Sequence, residues 1–140
     1  MTDYSVTGAV AGVPLGIKPQ VIDVVIDFST AGKTLTTSDS FEVFEMKADT
    51  LVIMAGVEVL TLASTGSPTL DLGDDSDDDL FAAAVQGHTS LAAGTTSVGK
   101  YYLAADTIDL IANSATFDGK VRVFAVIAEM GTESPASTFS

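Results

Sequence analysis

A chain of 140 residues with 46% hydrophobic and 18% charged side chains can bury one core and is too short for two comfortable domains. Its six Lys and Arg stand against 19 Asp and Glu, a formal charge of −13. That excludes the basic footprint of a nucleic-acid binder and argues against docking on anionic lipid. No cysteine is present, so disulfides, thiol chemistry and Cys-ligated metals are excluded. A single His and no Trp leave little for acid–base or metal catalysis. The composition points to a protein that is not an enzyme.

In chain order, residues 1–19 are small, Gly-rich and apolar without periodicity, and Lys18-Pro19 closes the stretch. No basic residue precedes Lys18, and Gly and Pro break the apolar residues, so a secretory leader is not expected. No run approaches the roughly 18 apolar residues of a membrane span. The expectation is a soluble protein made in a cytoplasm, with 1–19 as an extended N-terminal arm. Residues 20–130 form the body, and the polar segment 131–140 is expected to be a flexible tail.

The body reads as β throughout. Val21–Phe28 and Thr50–Met54 are rich in β-branched residues, and Phe41–Met46 is a mixed strand. Gly56 interrupts the run from Thr50 to Leu62 and suggests a bulge or bend between two strand pieces. Thr69–Leu72 and Tyr101–Leu103 are short strands, and Thr107–Ile111 alternates before Asn113-Ser114 turns the chain. Lys120–Ala128 begins by alternating, with Lys120 and Arg122 outward, and ends apolar on both faces, as a central strand does. Only Asp79–Val85 resembles a helix, one or two turns long, capped by the acidic residues before it. The expected fold is all-β, a sandwich of jelly-roll type with one short helix.

Six carboxylates lie between Asp71 and Asp79. The spacing Asp75-x-Asp77-x-Asp79 is superficially like the start of an EF-hand loop. However, Leu80 stands where that loop needs Gly, Gln86 where it needs the bidentate Glu, and flanking helices are missing. A solvated acidic loop is the leading reading. A Ca²⁺ site of another type, built from Asp71, Asp74, Asp75, Asp77 and Asp79, is the alternative. Asp23 and Asp27 share a strand face and read as charges that guard a solvent-facing edge. His88 lies in a polar loop without a partner nearby in sequence, and Gly94–Lys100 lacks the ending of a phosphate loop because Tyr101 follows the lysine.

The order of three segments carries a resemblance. Leu51–Thr61 is a strand with a Val57-Glu-Val59 ending, and Pro68–Phe81 runs through Thr69-Leu-Asp-Leu-Gly73 into the acidic loop and then Asp79-Leu-Phe81. A late hairpin follows in Ala104–Leu110 and Asp118–Val123. Over about 50–130 the chain resembles small structural proteins of tailed bacteriophages, in particular capsid decoration (cement) proteins. The resemblance implies a homotrimer of jelly-roll subunits on the outer capsid surface, bound to the major capsid protein, without cofactor and made in the host cytoplasm. A head-fibre base or tail-associated virion protein is an alternative within the same class. A Ca²⁺-dependent carbohydrate-binding module, using the acidic loop and Tyr101-Tyr102, is another. The arm, several tens of ångströms long if extended at roughly 3.3 Å per residue, is where contacts are expected. Val10, Val13, Leu15 and Ile17 are the candidates, since apolar side chains on an unpatterned segment need a partner to cover them.

Overall fold

Strands account for the regular structure of the residues described by the computed structural model, which are 6–7, 18–30, 33–89, 93–96, 99–130 and 138–139. In chain order they are β1 (Val6–Thr7), β2 (Gln20–Asp27), β3 (Ser40–Met46), β4 (Thr50–Thr61), β5 (Thr69–Asp74) and β6 (Asp77–Gln86). They continue with β7 (Ala93–Thr96), β8 (Lys100–Tyr102), β9 (Asp106–Asn113), β10 (Lys120–Glu129) and β11 (Thr138–Phe139). One sheet has the order β2-β10-β4-β7, with β8 also on β4, and the other has the order β3-β9-β5-β6. All of these pairings are antiparallel. The chain crosses between the sheets so that each draws strands from both halves of the sequence, which is the jelly-roll arrangement of two facing sheets. β1 and β11 form a separate antiparallel pair, joining residues from the two terminal segments.

The alternation in the sequence does what a sandwich requires. β10 lies between β2 and β4, and Val121, Val123 and Ala125 are fully buried while Arg122 and Phe124 are only half-buried. From the same sheet, β4 contributes Val52, Val57 and Val59 to the core. The facing sheet contributes Leu70, Leu72, Phe81, Ile108 and Leu110. At one end Phe28 packs edge-on to both Phe41 and Phe117, at 5.4 and 5.9 Å between ring centroids.

Two expectations are corrected. Asp79–Val85 is not a helix but the body of β6. Its alanines favour a helix intrinsically, yet the edge of β5 offers a ladder of hydrogen bonds, and Phe81, Ala82 and Val85 are buried from the strand. The strand is irregular: Leu70 faces Val85 but Leu72 faces Ala82, one residue out of step, and Ala84 takes up the extra residue at φ 51°. Gly56 does not divide β4, which runs unbroken from Thr50 to Thr61. The irregularities in its pairing with β10 fall at Ile53, between Val126 opposite Met54 and Ile127 opposite Val52, and at Leu60, between Lys120 opposite Thr61 and Val121 opposite Val59.

The two flanks of the sandwich differ. On the β6/β7 side the sheets close together. Gly94 lies against Val85 and Ala82, and a Cβ there would sit 2.3 Å from a Val85 methyl. On the other side, among the described residues, no strand pairs with the outer edges of β2 and β3. The segment between them is tied down by Leu35, whose backbone bonds reciprocally with Phe117. Phe117 therefore packs its ring against Phe28 and anchors this crossing through its backbone. Replacing Phe117 by Ala is expected to lower stability by about 3–5 kcal/mol, read as a lower urea midpoint with little change in slope.

Candidate interaction surfaces

The acidic segment is organised around one carboxylate. Asp74 ends β5 with its side chain wholly buried, and the turn to β6 folds around it. Its Oδ1 accepts hydrogen bonds from the Ser76 amide (2.9 Å), the Ser76 hydroxyl (2.8 Å) and the Asp77 amide (3.0 Å). Its Oδ2 accepts from Lys100 Nζ at 2.6 Å and from the Tyr102 hydroxyl at 2.7 Å. Lys100 and Tyr102 are two apart on β8 and so share a face, and the ammonium lies 5.0 Å from the Tyr102 ring centroid. Burial pushes the Asp74 carboxyl up, but the donors from Lys100, Tyr102 and Ser76 outweigh it and hold the group down at about 2. Burial and the same carboxylate push the Tyr102 hydroxyl well above its ordinary value.

The other acidic residues are dispersed. Asp71 accepts from the Ala84 amide (2.7 Å) and from Asn113 Nδ2 (2.6 Å), so it satisfies the N–H that the β6 bulge turns away from the ladder. Asp75, Asp77 and Asp79 are exposed. The Asp79 carboxyl is raised chiefly by Asp77 beside it. Among the described residues no three carboxylate or imidazole groups converge as a metal-ligand set. Asp74, central to the sequence-based Ca²⁺ alternative, has its oxygens committed to protein donors. His88 is exposed in the turn after β6. The four arm residues expected to make contacts, Val10, Val13, Leu15 and Ile17, lie outside the described residues.

Two further surfaces were not legible beforehand. The open β2/β3 flank holds a groove of about 600 Å³ lined by Val25, Ile26, Phe28, Leu35 and Phe41, with Lys33 at its rim. Val21, towards the other end of β2, is 73% exposed. On the outer face of the other strands of that sheet, Arg122 stands between Asp23 (3.7 Å) and Glu58 (3.8 Å), a charged stripe across β2, β10 and β4. Asp23 and Asp27 are both exposed on edge strand β2, as the sequence suggested. Asp27 also accepts from the Ser29 amide and hydroxyl, and these bonds hold its carboxyl below the ordinary value.

The fold defined by these two sheets is that of jelly-roll chains found in phage capsids. The chain is similar to a chain of the cyanophage Pam1 capsid asymmetric unit, with a TM-score of 0.65 and 22% identity over 86% of this chain and 91% of that one. It is also similar to a chain of the acidic stable capsid structure of Helicobacter pylori bacteriophage KHP30, with a TM-score of 0.59 and 10% identity over 87% and 92% of the two chains. A chain of the Ralstonia phage GP4 capsid gives a TM-score of 0.55 and 15% identity over 84% and 86%. No family model and no curated protein matches the sequence.

Because the Asp74 carboxyl sits at about 2 in the folded chain against an ordinary 3.8, its contribution is complete above the unfolded value and is lost as pH falls towards 2. It amounts to about 2 kcal/mol at neutral pH. Asp74→Asn is expected to lower neutral-pH stability and to flatten the fall in stability between about pH 4 and 2, measured by urea unfolding across that range.

Proposed function

We propose that this chain is a non-enzymatic virion structural protein. It binds the outer surface of the capsid as a homotrimer and stabilises the shell by clamping neighbouring major capsid subunits. The observation that carries this reading is the jelly-roll sandwich itself, shared over 84–87% of the chain with chains from three phage capsids. The ordering of sequence segments points the same way without depending on overall identity.

The physical features suit the role. A formal charge of −13, most of it on exposed carboxylates, keeps a densely decorated particle soluble, since like charge opposes contact between particles. The open β2/β3 flank offers two strand edges and an apolar groove, which is the kind of surface that a neighbouring extended segment extends or fills. Repetition over a shell turns modest affinity per subunit into firm attachment, so each copy needs only limited buried area. Clamping then works by burying surface across the seams between capsid subunits, which opposes outward strain from the packaged genome. Val10, Val13, Leu15 and Ile17 carry the arm's share of that buried surface.

Two measurements test this. Light scattering after size exclusion is expected to give three times the 14.4 kDa chain mass, unchanged by EDTA. A monomer would refute the trimer, and an EDTA-sensitive mass would redirect attention to a metal-dependent module. Replacing Val10, Val13, Leu15 and Ile17 together by Ser is expected to weaken co-sedimentation with undecorated capsids by about tenfold or more, with an unchanged circular dichroism spectrum. Binding equal to that of the parent chain would remove the arm from the mechanism.

A further inference from the structure

The two sheets differ in charge. β3, β9, β5 and β6 carry nine carboxylates and no Lys or Arg. Glu42 and Asp109 stand side by side on the outer face of that sheet. The acidic turn folds back over Gly73 beside them, so Asp109 is only 5% exposed. β2, β10, β4, β7 and β8 carry four carboxylates and three cations, which nearly balance.

The outer face of this second sheet is also apolar. Val121, Val123 and Ala125 of β10 point into the core, so Arg122, Phe124 and Val126 point out. Val126 lies opposite Val21 of β2 and Met54 of β4, an apolar row across three strands. Phe124 stands in the next row, between Asp23 and Gly56. The open β2/β3 flank adjoins this face along β2. Val24 is opposite Val123, and Phe41 is opposite Leu110, so register places both in the inner layer. They are nevertheless 36% and 40% exposed, because the core itself is open on this flank.

The charges of the face are short of one cation. Asp23, Asp27 and Glu58 share it with Lys120 and Arg122, and Arg122 reaches Asp23 and Glu58 only at 3.7 and 3.8 Å. On the flank, Lys33 is exposed at the rim of the groove and enters no ion pair among the described residues.

We propose that copies of this chain meet by packing the outer face of β2-β10-β4 in one copy against the β2/β3 flank of the next, with Lys33 of that neighbour set against Asp23 and Glu58. This rests on the homotrimer proposed above and names the surfaces that build it. A second chain of charge −13 is repelled by the acidic sheet and approaches closely only over a near-neutral surface. A cyclic trimer joins two different surfaces of each chain around its axis, and the face and the flank are different surfaces with β2 as their common border. Over the eight residues of β2, three strands at roughly 3.3 Å per residue and roughly 4.8 Å apart offer about 400 Å² of face. In a ring each copy gives its face to one neighbour and its flank to the other, so about 800 Å² is buried per copy, the area on each side of a stable interface. The acidic sheets are left facing away from one another.

Light scattering of a dilution series tests this with the full chain. Val21→Gln/Val126→Gln removes the apolar row, and Val24→Thr/Lys33→Glu alters the flank, with the fold checked by circular dichroism. Each double variant is expected to raise the concentration at which the trimer half-dissociates by about tenfold or more. Glu42→Gln/Glu45→Gln, on the acidic sheet, is expected to leave it unchanged. Glu58→Lys alone is expected to weaken the trimer, and Lys33→Glu in the same chain to restore it, because the two charges then face each other with their signs exchanged. A parent-like trimer in either of the first two variants, an equal loss in Glu42→Gln/Glu45→Gln, or no rescue by the charge exchange would overturn the inference. A parent chain that stays monomeric overturns it as well, and co-sedimentation with capsids then decides separately whether the chain binds the shell.

Discussion

Asp74 places a full negative charge where water does not reach it, and the acidic end of the sandwich is arranged around that fact. A buried carboxylate is tolerated only when donors replace its hydration, and here five hydrogen bonds do so. Three of them come from the turn that follows it, so the carboxylate shapes the path from β5 into β6. The other two come from Lys100 and Tyr102 on β8, in the opposite sheet. One side chain thus fixes a local turn and joins the two layers at a point where apolar packing gives way to charge.

The geometry of that turn has consequences on the outer face of the β3-β9-β5-β6 sheet. Because the chain folds back over Gly73, the acidic residues beyond Asp74 do not all project into solvent, and Asp109 is covered. Asp74 is satisfied internally, whereas Asp109 beneath the turn keeps one carboxylate oxygen, Oδ1, without a hydrogen-bond partner among the described residues.

The two flanks divide the remaining work. On the β6/β7 side, the missing side chain of Gly94 lets the sheets close together. On the β2/β3 side, the edges stay unpaired among the described residues and an apolar groove opens between them. An edge left in this state is a hazard for a free protein unless charge guards it, and Asp23 and Asp27 on β2 supply that guard.

Read alone, the sequence determined the fold class. Alternation in Val121–Ile127, β-branched runs at Val21–Ile26 and Leu51–Ile53, and regular turns are local properties that a strand displays whatever it packs against. It also determined that β10 would be central, because apolar residues on both faces need cover on both. The tertiary structure decided the rest. Asp79–Val85 became a strand because β5 presented an edge and a core to it, a non-local gain that local helix preference cannot reveal. Asp74 met Lys100 and Tyr102, 26 and 28 residues further on, only because β8 comes to lie in the facing sheet. Asp109 looked like an ordinary outward position in an alternating strand. Only the folded turn over Gly73 buried it, because burial depends on what crosses above a residue and not on the residue's own neighbours in sequence.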